Sequence, residues 1–205
     1  MRIASIERLT TRLMTACSVA SLVLLLPSVA AAQQSGMVAI RIVTQMGTVD
    51  ADLDSARAPA TVTNFLRYVD AHLFDGGSFF RVVTIDNQPK DSVRIEVIQG
   101  GMRPRPDSAF AAIPIERTSI TGLRHRGGTL SMARSAPNSA RDHFFITIGD
   151  QPDLDFGGRR NPDGQGFAAF GHVTEGMDVV RTIQSRPATG QALVQPITIV
   201  SVTRR

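Results

Sequence analysis

Ser139, Asp142 and His143 bring the three residue types of a hydrolytic triad into one short stretch, and a run of acids occupies 150–155. Neither is a site by sequence alone. A triad is defined by geometry rather than adjacency. The acidic run lacks the ligand spacing and closing Glu of an EF-hand, so it reads as a solvated loop. The four histidines, His72, His125, His143 and His172, are spread along the chain with no HExxH or similar spacing, so no metal is expected. There is no GxSxG elbow and no phosphate-binding glycine loop. Two segments carry more specific patterns. One runs Phe79-Phe80-Arg81-Val82-Val83 and, after a polar insert over 84–92, continues Glu96-Val97-Ile98-Gln99-Gly100-Gly101. The other begins Gly128-Thr129-Leu130-Ser131-Met132-Ala133-Arg134 and reaches Pro137-Asn138-Ser139 and His143-Phe144-Phe145-Ile146.

The chain that must position these residues has 205 residues, 42% hydrophobic and 20% charged, which suits one globular domain and excludes a disordered or collagen-like chain. Its net charge is +4, spread over arginines without a basic cluster, and there is no Trp and a single Tyr. Basic patches interleaved with aromatic platforms are missing, so nucleic acid is not an expected partner. Residues 1–32 read as a signal peptide: Arg2, Arg8 and Arg12 precede an apolar run densest at Leu22–Leu26, Pro27 breaks it, and Ala30-Ala31-Ala32 offers a cleavage site. The run is short for a membrane span, and an uncleaved anchor is the alternative. Cys17 lies ahead of that run, where a lipid anchor would leave a greasy mature N-terminus, so it is read as part of the leader. The expected mature domain, 33–205, then has no cysteine and no disulfide, and it sits in the periplasm or is secreted without stable membrane insertion.

Within that domain, 37–43 and 48–53 read as a hairpin around Met46-Gly47. Pro59 opens a helix reaching about His72, with Val62, Phe65, Leu66, Val69 and Leu73 at helical spacing. Short strands are expected at 79–83, 93–98, 129–133, 143–148, 168–173 and 197–202. A second helix covers Met177 to Gln184, burying Val179, Val180 and Ile183. Many short strands and two helices predict a mainly β fold, a closed antiparallel barrel capped by two α-helices. The long stretches 102–127 and 149–166 have little periodicity, as functional loops often do.

Leu154-Asp155, Phe167-Ala168-Ala169-Phe170-Gly171-His172-Val173 and Gly176-Met177-Asp178-Val179-Val180 follow the two patterned segments. Taken in order, the series resembles the cyclophilin family of peptidyl-prolyl cis-trans isomerases, with its F-H-R, Q-G-G, L-S-M-A, P-N-x-x-x-x-Q-F-F-I, L-D, F-G-x-V and G-M-D/N-V-V blocks. The likeness spans about 37–202. It implies an eight-stranded antiparallel barrel, no cofactor, a monomer, and unfolded or proline-containing polypeptides as partners.

The chemistry so implied is rotation about an X-Pro bond, against a barrier of about 18–20 kcal/mol set by amide resonance. Arg81 matches the family's catalytic arginine, whose rigid cationic fork can ease the twisted imide electrostatically. Gln99 matches the glutamine that orients that arginine or the substrate. By the same resemblance, Val97, Phe145, Leu154 and Phe167 form the proline pocket, the backbone of Ala133 and Arg134 receives the extended peptide, and His143 replaces a substrate-binding glutamine. Three departures stand out, two of which carry expectations. Glu96 stands where the family has Phe, opening a wall and bringing a negative charge toward Arg81. Asp153 stands in place of an aromatic residue, which implies poor cyclosporin binding. Arg134 replaces a common Asn. The expected function is isomerisation during folding of exported proteins. A catalytically weak peptide-binding or chaperone module of the same fold is the alternative, and a small-molecule-binding barrel with a closed apolar interior cavity is a third reading.

Overall fold

The computed structural model of the chain describes residues 36–103 and 110–205. The leader expected over 1–32 lies outside the described residues. The hairpin forms as the alternation predicts: β1 (Met37–Thr44) pairs with β2 (Gly47–Asp54) from Met37↔Asp54 to Thr44↔Gly47. The other strands are β3 (Ser78–Val83), β4 (Val97–Gly101), β5 (Thr129–Met132), β6 (Phe144–Thr147), β7 (Ala168–Glu175), β8 (Ala188–Thr189) and β9 (Ala192–Arg204). Their spatial order is β1-β2-β7-β5-β6-β4-β3-β9-β8, and β1 also pairs with β9. Eight strands therefore close a ring, with β8 hung on β9 outside it. The closing ladder runs from Ile40↔Arg204 to Thr44↔Ile199, and it is antiparallel like every other pairing in the sheet.

Among the described residues three helices, not two, accompany the ring. α1 (Pro59–Asp70) packs on β2, β7 and β9. α2 (Thr118–Thr121) is one turn without apolar periodicity, stopped by Gly122 at φ 71°, and so left no signal in the sequence. α3 (Met177–Gln184) packs on β2, β3 and β4 with Val180 and Ile183 buried and Val179 at the margin. α1 has no cap of its own; the Glu116 carboxylate takes the backbone N–H groups of Ala60 at 3.0 Å and Thr61 at 2.7 Å. An anion there satisfies two orphan donors and complements the helix dipole.

The apolar spacing of α1 delivers Phe65 into the barrel core. Its ring meets Phe74 at 4.9 Å, Phe170 at 5.2 Å and Phe144 at 5.3 Å, and all four are buried. Ile40, Ile42, Leu53, Phe79, Ile98 and Leu130 fill the same cluster. A packed interior removes the reading of a small-molecule barrel with a central cavity.

Strand 93–98 is corrected to Val97–Gly101. The side chain of Gln88, itself buried, accepts from the Ile95 N–H at 3.1 Å and donates to the Ile95 carbonyl at 2.8 Å, replacing a ladder partner. At the other end the strand runs through two glycines because neighbours come too close for a side chain. A Cβ on Gly100 would lie 2.8 Å from the Phe79 ring and from the Ser78 carbonyl. The final strand is also longer than the expected 197–202, reaching back to Ala192.

β6 separates two apolar environments. Phe144 points into the barrel core, while Phe145 joins a separate cluster outside the ring with Val83, Ile95, Val97 and Leu154. That outer cluster is the base of the candidate site.

Candidate active site

Arg81 lies on β3 directly opposite Gln99 of β4 and Ala192 of β9. This register decides the geometry. Gln99 Oε1 accepts from Arg81 Nη1 at 2.7 Å. Gln191, one residue before β9, presents its Oε1 to Arg81 Nε at 3.0 Å and Nη2 at 2.6 Å. Gln191 is braced in turn: its carbonyl accepts from Val82 N–H at 2.9 Å, and its Nε2 donates to the Asn87 carbonyl at 3.4 Å. Asn87 ends a 3-10 turn (Ile85–Asn87) closed by reciprocal bonds with Thr84. The insert over 84–92 thus supports the brace. Burial pushes the Arg81 pKa down, nearby Arg160 adds to that, and Asp91 opposes it.

The guanidinium faces a cavity of about 220 Å³, which Arg81 and Gln99 line together with Val97, Phe145 and Leu154. Ala133, Arg134 and Phe167 line it too. Phe167 meets Phe145 edge-on at 5.3 Å. His143 stands apart: it lines an adjoining cavity of about 320 Å³, shared with Gln99, Ala133 and Arg134, and packs on Phe80 at 5.1 Å. A larger cavity of about 360 Å³ elsewhere is lined by Asp52, Asp54, Arg57, Arg126 and His172, with none of the expected site residues among its walls.

Several expectations change. Glu96 sits between Ile95 and Val97, both of which line the cavity, and turns to the other side, where its Oε1 accepts from Gln184 Nε2 of α3 at 3.4 Å. It brings no charge to the pocket, and Ile95 supplies the wall expected to be open. Asp153 likewise turns away, accepting from Arg159 N–H at 3.2 Å and Nε at 3.3 Å. The Ala133 N–H is already donated to the His143 carbonyl at 2.9 Å. The Ala133 carbonyl and both backbone groups of Arg134 meet no backbone partner among the described residues. The Arg134 side chain is occupied: it donates to both Asp163 oxygens at 2.8 and 2.9 Å and to the Gly166 carbonyl at 2.7 Å, and its guanidinium lies 5.0 Å from the Phe167 ring centre. These bonds hold the Asp163 carboxyl down at about 2.

Ser139, Asp142 and His143 form no triad. Ser139 Oγ accepts from Ala136 N–H at 2.9 Å within a turn, and His143 Nε2 is 3.8 Å from Asp142. A Ser–His–Asp relay exists elsewhere: Asp155 Oδ1 is 2.8 Å from His125 Nδ1, and His125 Nε2 is 2.9 Å from Ser131 Oγ. In the tautomer that carries its proton on Nδ1, His125 donates to the carboxylate and its Nε2 accepts from the serine hydroxyl. Ser131 is fully buried, so it is no nucleophile. The His125 ring stacks 6.0 Å from Phe145, bracing the pocket from behind. Burial would raise the Asp155 pKa, but the side-chain and backbone hydrogen bonds from His125 prevail and lower it.

Ile95, Arg160, Asn161 and Gln191 complete the site, and no motif in the sequence marks them. Ile95 is visible there only as the apolar neighbour of Glu96. The polar three come from irregular segments that periodicity does not resolve. Among the described residues no group of three or more His, Cys, Asp or Glu gathers for a metal, and no helix is long and apolar enough to cross a membrane.

Comparison with known proteins places this geometry. Residues 39–204 match the family model described as cyclophilin type peptidyl-prolyl cis-trans isomerase/CLD. The peptidyl-prolyl cis-trans isomerase cyp18 of Streptomyces antibioticus is 35% identical over 172 residues, covering 80% of this chain and 97% of the relative. The peptidyl-prolyl cis-trans isomerase B of Escherichia coli is 35% identical over 137 residues, covering 66% and 77%. A crystal structure of a Cryptosporidium parvum cyclophilin-type isomerase superposes with TM-score 0.66 at 21% identity, over 82% of this chain and 98% of that one. The same protein was also solved in the presence of the dipeptide Ala-Pro, with TM-score 0.65. With the family model matched over 39–204 and relatives of this kind at 35% identity, the chain belongs to the cyclophilin-type peptidyl-prolyl cis-trans isomerases.

Proposed function

We propose that the chain accelerates X-Pro isomerisation in exported polypeptides and that Arg81 is its catalytic group. The proline ring enters the notch of Val97, Phe145, Leu154 and Phe167. The carbonyl before it swings while the Arg81 fork, anchored by Gln99 and Gln191, stabilises the twisted imide. No covalent step and no cofactor are needed. The observation that carries this reading is the fork itself: three of its N–H directions are taken by two glutamine oxygens, which leaves one proton on each Nη for substrate. The Ala-Pro dipeptide present with the Cryptosporidium relative supports a proline occupant. A peptide-binding module without turnover drew on Glu96 and Asp153, and with both acids engaged off the pocket that alternative keeps no feature of its own.

The export part of the proposal rests on the leader over 1–32. Expression of the full chain in a bacterium, followed by fractionation and N-terminal sequencing, should yield a mature periplasmic or secreted form starting near Gln33. A full-length product held in the cytoplasm overturns that part. Exchange measurements on a blocked proline peptide test the rest: an exchange rate equal to buffer overturns isomerisation.

A further inference from the structure

The cavity at Arg81 has an unbalanced electrostatic lining. Three guanidinium groups, Arg81, Arg134 and Arg160, line it, and no carboxylate does. Their roles differ. Arg134 is saturated by Asp163 and Gly166. Arg81 is held by neutral glutamine oxygens. Arg160 is only half used. Its Nη1 donates to the Val93 carbonyl at 2.6 Å and lies 2.9 Å from Asp91 Oδ2, and its Nε and Nη2 meet no acceptor among the described residues. The side chain is only 15% exposed, so it is fixed against the cavity rather than waving in solvent.

Two further facts set its direction. The anchor Asp91 belongs to the insert over 84–92 and is not among the residues that line the cavity, so the pair adds no carboxylate to its wall. The anchoring is doubled on the backbone, where Arg160 N–H donates to the Asp153 carbonyl at 3.1 Å. Arg160 shares the cavity wall with Arg81 and lies 2.9 Å from Asp91, so the three charged groups are neighbours. A planar fork with unused donors on a partly dry wall is suited to a carboxylate, which it can take in two parallel bonds.

We propose that Arg160 is a specificity-determining residue that recognises a carboxylate side chain beside the proline, so that the preferred substrates are X-Pro segments flanked by Asp or Glu. The proposal rests on the reading of this cavity as the proline site. Asp91 and the insert then have a function: they preset the Arg160 fork before substrate arrives. The terminal carboxylate of a polypeptide could offer the same group, and the test separates the two sources.

Acetylated, amidated peptides that differ only in Glu, Gln or Lys next to proline are compared by NMR exchange, which needs no protease. The expected result is a kcat/KM for Glu about tenfold above Gln, equal to ~1.4 kcal/mol, with Lys below both. The advantage should shrink toward 1 M salt, where the Debye length is about 3 Å. Arg160→Gln should bring the Glu to Gln ratio close to one, and Arg160→Glu should move the preference to Lys. Because each readout is a ratio within one variant, a loss of folded protein cannot imitate it. Equal turnover of all three peptides by the unsubstituted protein, or an unchanged ratio in Arg160→Gln, overturns the proposal while leaving isomerisation intact. A gain seen only with free terminal carboxylates overturns it in favour of polypeptide ends. If no peptide is turned over, the same ratios are read from NMR binding titrations: a Glu preference that depends on Arg160 sustains the proposal and overturns isomerisation, and absence of binding overturns both.

Discussion

Replacing Arg81 with Ala removes the fork and leaves most of the pocket. The three hydrogen bonds to Gln99 and Gln191 hold the guanidinium plane still, so in the proposed mechanism its effect on the twisted imide is preorganised and needs little rearrangement during the turnover. Deleting one donor of this kind costs about 10²–10³ in rate, or ~2.7–4 kcal/mol. A total acceleration of about 10⁵-fold requires ~7 kcal/mol, so Arg81 would supply roughly half of it. The apolar contacts from Val97, Phe145 and Leu154 remain, so KM should move little and the loss should fall on kcat. Arg81→Lys keeps a cation but not a fork. Its three donors radiate from one nitrogen and cannot reproduce the spread of the fork between Gln99, Gln191 and the substrate, so this variant should resemble Arg81→Ala more than the unsubstituted protein. Stability should survive, because orphaning a buried acceptor costs about 1–3 kcal/mol each, the two glutamines are only half-buried, and the total is about 5–15. NMR exchange on a proline peptide gives the rate, and a thermal melt of the same sample gives the fold. A folded Arg81→Ala variant with undiminished kcat/KM would refute the mechanism.

Gln191→Ala should lower kcat by about tenfold, the ~1.4 kcal/mol of one charge-assisted anchor, with KM nearly constant and partial recovery in Gln191→Glu; a change in KM alone would make Gln191 a substrate contact instead. Glu96→Phe should leave kcat/KM unchanged, since that side chain faces Gln184, and a clear gain would mean that position 96 reaches the pocket after all. The Asp155 carboxyl is lowered in the folded state, so its contribution to stability is complete above the ordinary carboxylate pKa of about 3.9 and is lost as pH falls through the lower folded value. Urea unfolding should therefore show stability falling on acidification below about pH 4, with a shallower fall and a cost of ~1.5–3 kcal/mol near neutrality in Asp155→Asn. An unchanged acid limb in that variant would remove the His125–Asp155 bond from the stability of the pocket.

Local pattern carried far in this chain. Alternation set the β1–β2 hairpin, helical spacing set α1 and α3, and the ordered motifs brought Arg81, Gln99 and the apolar wall together. What escaped has a common cause. Gln191 reaches Arg81 across 110 positions of sequence, and Arg160 reaches Val93 across 67; side-chain bonds of that span leave no trace in a sliding window. His125 was visible only as a scattered histidine, because its partners Ser131 and Asp155 meet it through the fold. Glu96 departs from expectation because motif position does not fix side-chain direction. On extended backbone, neighbours face opposite ways, and Ile95 and Val97 already hold the pocket side. β4 is displaced because Gln88 imitates a strand, which no propensity scale registers.

The ring is sealed by its two outermost strands: Ile40 meets Arg204, and Val43 meets Ser201. A nascent polypeptide cannot complete this seam until residue 204 has been synthesised, and pairing so distant in sequence is intrinsically slow. If the chain is exported as proposed, such a lag would keep it threadable through a narrow channel and would defer the final zipping step until after passage.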